Sequence, residues 1–150
     1  MPLTIAPESP LTPEGRTLIA GSQEALLEVF SPDEIFSFSP EELATPDVAF
    51  LVARDGGAAI GCVAMVDCGD YAEIKRLYVP PAGRGRGLAR ALMDALETRA
   101  RAQGKQAIMA ETGEVLVPAV ALYRDLGFSV RGPFGDYPAH PASLFMEKRL

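Results

Sequence analysis

The segment Val79-Pro80-Pro81-Ala82-Gly83-Arg84-Gly85-Arg86-Gly87-Leu88-Ala89 has the residue types an anion site needs. Gly85, Gly87 and the small Ala89 let a ligand approach the backbone closely, where a larger side chain would obstruct it. Arg84 and Arg86 supply guanidinium forks that match phosphate oxygens. A helix starting here would add N–H groups without intrahelical partners and the positive end of its dipole. Such a turn suits a phosphate or pyrophosphate. Two familiar phosphate sites do not fit. The spacing of Gly83, Gly85 and Gly87 is wrong for the G-x-G-x-x-G dinucleotide turn, and the Gly-Lys-Ser/Thr of a P-loop is missing.

The flanking elements decide between an anion site and a solvated Gly/Arg loop. Tyr71–Val79 reads as a strand rich in β-branched and aromatic residues, stopped by Pro80-Pro81. Gly85 to Gln103 reads as a helix with Leu88, Ala91, Leu92, Ala95 and Leu96 on one face and Gly104 closing it. Gln106–Thr112 returns as a strand, so the pair is expected to be parallel. Before this unit come a short strand at Leu3–Ala6 and a helix with Thr12 as N-cap and Pro13 at N1. That helix should turn Leu18, Ile19, Ala25, Leu26, Val29 and Phe30 inward, with Gly21 as a point of interruption. Ser39-Pro40-Glu41-Glu42 is a capping box opening a second short helix. Val48–Arg54, Ala58–Asp67 and Tyr71–Val79 then form a meander turned by Asp55-Gly56-Gly57 and Cys68-Gly69-Asp70. Pro118–Leu126 is a last helix, and Phe128–Arg131 and Ser143–Lys148 are the last strands. The expected fold is one mixed α/β (α+β) domain over residues 1–150, with an antiparallel meander, a central parallel β-α-β unit and helices on both faces.

Composition narrows the function. A length of 150 residues, 48% hydrophobic and 23% charged, is that of one ordinary globular domain. The net charge of -6 argues against nucleic acid as a partner. Lys75, Arg76, Arg84, Arg86 and Arg90 nevertheless fall close together, a basic patch on an acidic chain. Cys62 and Cys68 with the lone His140 make no metal-ligand spacing, so no metal is expected. Nothing resembles a membrane span, and Met1-Pro2-Leu3-Thr4 lacks the basic and apolar regions of a leader, so a cytoplasmic location is expected. No histidine stands near either cysteine to activate it as a nucleophile.

Arg84-Gly85-Arg86-Gly87-Leu88-Ala89 resembles the Arg/Gln-x-x-Gly-x-Gly/Ala signature of the GCN5-related N-acetyltransferases (GNAT). The late Ala119-Val120-Ala121-Leu122-Tyr123-Arg124-Asp125-Leu126-Gly127-Phe128 is similar to that family's Ala-x-x-Leu-Tyr-x-x-x-Gly-Phe ending. Leu116-Val117-Pro118 departs from the family, which often has an Asn just before the late helix. The resemblance implies a small bacterial-type member that moves the acetyl group of acetyl-CoA to a primary amine by direct attack in a ternary complex. It implies that Leu77, Tyr78 and Val79 border the pantetheine arm, while Arg84, Gly85, Arg86, Gly87, Leu88 and Ala89 hold the pyrophosphate. The Val79 N–H is a candidate stabiliser of the oxyanion. Glu73, at a position where relatives carry a general base, stands six residues before Val79, which in a regular strand puts both on one face. Tyr123 matches the tyrosine that protonates the departing thiolate. Tyr137 and His140 fall in the loop expected to line the acceptor pocket. The acceptor is open between a small molecule and a peptide or protein amine. A homodimer paired through the last strand is compatible with the resemblance, and a non-catalytic acyl-CoA-sensing module is the alternative function.

Overall fold

The computed structural model describes residues 3–150; Met1 and Pro2, part of the start read as lacking a leader, lie outside the described residues. Seven strands among them form one mixed sheet in the order β1-β2-β3-β4-β5-β7-β6. β1 (Leu3–Pro7), β2 (Val48–Asp55), β3 (Ala58–Asp67) and β4 (Tyr71–Tyr78) are an antiparallel meander. Gly56 and Gly57, both at positive φ, turn the β2–β3 hairpin as expected. β4 and β5 (Ala107–Thr112) are the parallel pair, joined through α3 (Leu88–Ala102). β6 (Ser129–Arg131) and β7 (Leu144–Arg149) complete the sheet antiparallel. β7 lies between β5 and β6, and β6 pairs with it over Phe145–Glu147.

Helices cover both faces. α1 (Pro13–Leu27) starts where the Thr12 hydroxyl accepts the Gly15 N–H at 3.0 Å, a cap worth about 1 kcal/mol. Gly21 does not interrupt it. Its missing side chain is filled by Tyr78, whose Cε2 would lie 2.8 Å from a Cβ there. Leu18 and Ile19 are buried, whereas Val29 falls beyond the helix end and is exposed. α2 (Pro40–Leu43) has the expected capping box, with Ser39 and Glu42 exchanging bonds of 3.0 and 3.2 Å. These helices pack on one face around Leu18, Leu43, Phe50 and Cys62. α3 and α4 (Val117–Asp125) lie against the other, around Leu92, Leu96, Ile108, Tyr123 and Met146. No helix of the described residues is long and apolar enough to cross a membrane.

One irregularity reorganises β4. Cys62 pairs with Tyr78 but Ala64 pairs with Lys75, so Arg76 and Leu77 together oppose Val63. This is a β-bulge, and Arg76 takes φ 53° to make it. The side-chain alternation therefore slips by one. Ala72 and Ile74 pack toward α3 with Leu77 and Val79, while Tyr78 packs toward α1. Glu73, whose carboxylate meets Tyr137 on the α1 face, does not share a face with Val79. The expectation of a shared face assumed a regular strand, and the bulge breaks that rule.

Candidate active site

β4 and β5 pair only from Tyr71↔Ala107 to Ile74↔Ala110. Beyond that row β4 runs on to Tyr78 and β5 to Thr112 without pairing to each other. Parallel strands that part leave backbone donors and acceptors lining a gap, ready for an extended ligand. A cavity of about 130 Å³ occupies this gap, walled by Ile74–Leu77, Glu111, Thr112, Ala119, Tyr123 and Phe36 among others.

The glycine turn stands at the open end of the same strand. Pro81–Gly83 is a short 3-10 turn, and Gly83 is packed so closely that a Cβ would meet the Ile60 carbonyl at 2.8 Å. Gly85 (φ 79°) and Gly87 (φ 70°) are left-handed and face open space. The expected helix start at Gly85 is thus delayed to Leu88, because left-handed glycines cannot begin a right-handed helix. Gly87 is the N-cap, no side chain caps the first turn, and no acid stands in it. Those N–H groups and the positive helix end face outward beside exposed Arg84 and Arg86. The buried Leu88 anchors the turn and Ala89 is half-buried. Arg84 Nε donates to the Val79 carbonyl at 3.2 Å, Arg86 pairs with Asp55, and Arg90 pairs with Asp125.

The basic patch read from the sequence is divided in the fold. Lys75 and Arg76 are buried on the α1 face, far in role from the exposed arginines of the turn. Lys75 Nζ donates to the Phe36 carbonyl at 2.8 Å and lies 4.9 Å from the centre of the Phe38 ring. Arg76 donates to the Phe38 carbonyl (3.1 Å), the Gln23 side chain (2.9 Å) and the Ser22 hydroxyl (3.3 Å). Both residues therefore clamp the loop between α1 and α2 against β4. Burial lowers the Arg76 pKa from its ordinary value.

Glu73 is 7% exposed and sits 3.2 Å from Lys75 Nζ. The Tyr137 hydroxyl donates to the same carboxylate oxygen and accepts from Lys75. Burial, then this bond to Glu73, pushes the Tyr137 phenol well above its usual range. A second cavity, of about 480 Å³, opens beside this cluster between Phe36, Phe38, Tyr137 and Pro138. Tyr123 reaches the gap from the opposite face. It is 5% exposed, packs against Phe128 at 5.3 Å between ring centres, and is also pushed up by burial, with the Glu111 charge adding to the effect. Glu73 and Tyr123 do not line one cavity; Lys75 and Phe36 stand in the walls of both.

Sequence reasoning places Lys75 and Arg76 in the basic patch and passes over Glu111, which stands in the wall of the gap. The signal for Glu111 was a carboxylate after four apolar residues of the strand Ala107–Thr112. His140 takes no part in an acid–base pair: its Nδ1 accepts the Ala142 N–H at 3.0 Å and its ring stands edge-on to Phe36. Cys62 is fully buried, its thiol pushed up to about 12 by burial, and donates to the Arg76 carbonyl at 3.3 Å. Both cysteines are free, Cys62 in the core and Cys68 at the β3–β4 turn.

A parted parallel strand pair leading to an uncapped, glycine-lined helix start suits an extended ligand with an anionic end, the shape of an acyl-CoA. Comparison with known proteins agrees. Residues 18–128 match the acetyltransferase (GNAT) family. The chain is 42% identical over 150 residues to the IAA acetyltransferase of Azospirillum brasilense, covering 99% of this chain and 98% of that one. It is 30% identical over 122 residues to the uncharacterized N-acetyltransferase YsnE of Bacillus subtilis, covering 79% and 81%. Among solved structures, a candidate acyl-CoA N-acyltransferase from Klebsiella pneumoniae superposes with a TM-score of 0.81 at 34% identity, covering 99% and 97%. The PaiA N-acetyltransferase of Thermoplasma acidophilum, solved with coenzyme A, shares the fold with a TM-score of 0.78 at 19% identity, covering 100% of both chains. The chain belongs to the acetyltransferase (GNAT) family and is an acetyl-CoA-dependent N-acetyltransferase. The non-catalytic sensing module draws no support from these relatives.

Proposed function

We propose that residues 1–150 act as one cytoplasmic N-acetyltransferase domain that acetylates a primary amine by direct attack in a ternary complex. The observation that carries this is the parting of β4 and β5 after Ile74↔Ala110, above the turn at Gly85–Gly87. In this reading Leu77, Tyr78 and Val79 border the pantetheine arm, with the Val79 N–H toward the developing oxyanion. Arg84 to Ala89 hold the pyrophosphate by backbone N–H groups and the two guanidinium groups. Tyr123 donates its proton to the CoA sulfur as the thiolate leaves. A buried phenol is kept protonated, which suits a donor. Glu73 enters as the carboxylate that holds Lys75 and Tyr137 against the acceptor cavity. The amine arrives from the α1 face, past Phe36, Phe38 and Tyr137, and its body is a small molecule or a peptide or protein amine. Two unpaired thiols fit a reducing compartment.

Release of free CoA from acetyl-CoA, followed by a thiol reagent with a panel of aliphatic, aromatic and peptide amines, tests the reading. Turnover with at least one amine and a linear dependence on both substrates is expected. Tight acetyl-CoA binding without turnover for every amine would overturn it.

A further inference from the structure

Resting on the acetyl-transfer reading, we infer that the cavity in the strand gap is an acyl-chain site. Through it the protein also transfers straight-chain acyl groups of roughly three to six carbons from their CoA thioesters. In that reading the gap between β4 and β5 holds the thioester carbonyl, so whatever is bonded to the carbonyl carbon continues within the same cavity. The walls beyond the two strands come from the end of α1, the loop after it and the start of α4. Leu26, Phe30, Ile35, Leu116 and Ala119 line the cavity there.

Charged and polar groups of the wall are already engaged. The Ser22 hydroxyl accepts from Arg76 at 3.3 Å, and Lys75 Nζ donates to the Phe36 carbonyl at 2.8 Å. Glu34 accepts the Ser31 N–H at 2.8 Å, and Glu111 accepts the Ser143 hydroxyl at 2.9 Å. An apolar wall beside satisfied polar groups favours an apolar occupant, since a polar one would lose water and gain few partners.

The outer surface is apolar at the same place. Among the described residues seven large hydrophobic side chains are exposed. Four of them, Leu27, Val29, Val115 and Val117, stand next in sequence to the cavity-lining Leu26, Phe30 and Leu116. Val115 and Val117, at 61% and 66%, are the most exposed of the seven. The two segments meet, because a Cβ on Gly113 would lie 2.7 Å from Phe30 Cζ. Exposed hydrophobic side chains scattered singly need no explanation, but a group gathered beside one cavity marks a binding surface. The apolar lining therefore continues to an apolar rim, which a pocket for a lone acetyl methyl does not require.

Size sets the chain length. A volume of about 130 Å³ holds roughly ten groups the size of water. The acetyl group, its sulfur and the attacking nitrogen take about half of them, which leaves space for roughly four more carbons. The acceptor's body does not need that space, as its own cavity of about 480 Å³ opens between Phe36, Phe38, Tyr137 and Pro138. The step is the one already proposed, with a longer chain on the carbonyl. The amine nitrogen forms the C–N bond, and the C–S bond breaks with its electron pair on sulfur. The proton lost by nitrogen balances the one taken up by the thiol, so no further reactant enters.

The experiment is calorimetric titration with acetyl-, propionyl-, butyryl-, hexanoyl- and decanoyl-CoA, joined to kcat/KM for each thioester with the best amine of the panel. From acetyl to hexanoyl, Kd should fall by up to about fourfold per methylene, the value of full burial. Decanoyl-CoA should gain little more, because its end leaves the cavity. Butyryl-CoA should be transferred with a kcat/KM at least equal to that of acetyl-CoA, the butyrylated amine being read by mass. Ala119→Leu adds an isopropyl group to the wall and should lower the butyryl-to-acetyl ratio of kcat/KM by about tenfold or more. Leu116→Ser removes apolar wall without filling the cavity; it should flatten the gain per methylene, and it serves if Ala119→Leu fails to fold. A Kd independent of chain length, or a butyryl-CoA kcat/KM more than about tenfold below that of acetyl-CoA, would overturn the inference. So would an Ala119→Leu protein that keeps the parent's ratio and raises the KM of the amine instead, since the wall would then belong to the acceptor. Absence of turnover with every thioester and amine would count against the acetyl-transfer reading, while the affinities, measured without amine, would still decide what the cavity holds.

Discussion

Gly87→Ala separates what the turn does for the fold from what it does for the ligand. Gly87 is the N-cap of α3 at φ 70°, ψ 21°, and a Cβ built on it meets nothing within 4 Å. The cost to the fold is therefore conformational. A left-handed alanine costs about 1–2 kcal/mol, and stiffening the unfolded chain returns about 0.4–1 kcal/mol. The net loss is roughly 0–1.5 kcal/mol, a fall in Tm of no more than about 6 °C for a chain this long. The cost to binding is larger, because the new methyl projects where a phosphate must approach the first-turn N–H groups. Losing one charge-assisted hydrogen bond is worth about 1.5–3 kcal/mol, which is about tenfold to a hundredfold in acetyl-CoA Kd. Gly83→Ala should behave in the opposite way. Its Cβ would meet the Ile60 carbonyl at 2.8 Å and Leu88 Cδ1 at 3.2 Å, so overpacking of about 1–3 kcal/mol falls on stability. Calorimetric titration with acetyl-CoA and thermal melts of the two variants give both numbers. If Gly87→Ala melts near the parent and binds acetyl-CoA within about twofold of it, the turn is not the pyrophosphate site.

Three further outcomes follow from the same geometry. Tyr123→Phe should lower kcat by about tenfold or more with acetyl-CoA Kd unchanged, since a removed general acid rarely costs less; equal kcat in single-turnover measurements would leave Tyr123 only its packing against Phe128. Lys75→Met should destabilise by about 3–5 kcal/mol, because it strands the buried Glu73 charge. Adding Glu73→Gln to it should recover part of that loss in urea melts, and simple additivity would refute the coupling. Cys62, with its thiol pushed up to about 12, should resist iodoacetamide in the native protein at neutral pH, read by peptide mass mapping after quenching; rapid labelling would refute its placement in the core.

Local patterns carried much of the architecture in the sequence itself. The Thr12-Pro13 start, the Ser39–Glu42 capping box, the Gly56-Gly57 hairpin and the β-α-β unit are decided by neighbours in the chain, through caps, φ preferences and periodicity. The Gly85–Gly87 turn was legible for the same reason, since its chemistry is backbone conformation. What escaped was set by distant partners. The bulge at Arg76 depends on Val63 of the neighbouring strand, and it reversed the face expected for Val79 relative to Glu73. Lys75 and Arg76 looked like part of a phosphate patch, but carbonyls of Phe36 and Phe38, brought in by the loop after α1, hold them buried on the α1 face. Glu111 drew no notice because a carboxylate at the end of a strand is ordinary until the neighbouring strand parts from it. Sequence alone pointed to an anion site at the turn, as nearest-neighbour sterics set the left-handed glycines and the open helix start. Only the tertiary structure decided which side chains are buried and paired around the gap, because burial and charge pairing are sums over residues far apart in the chain.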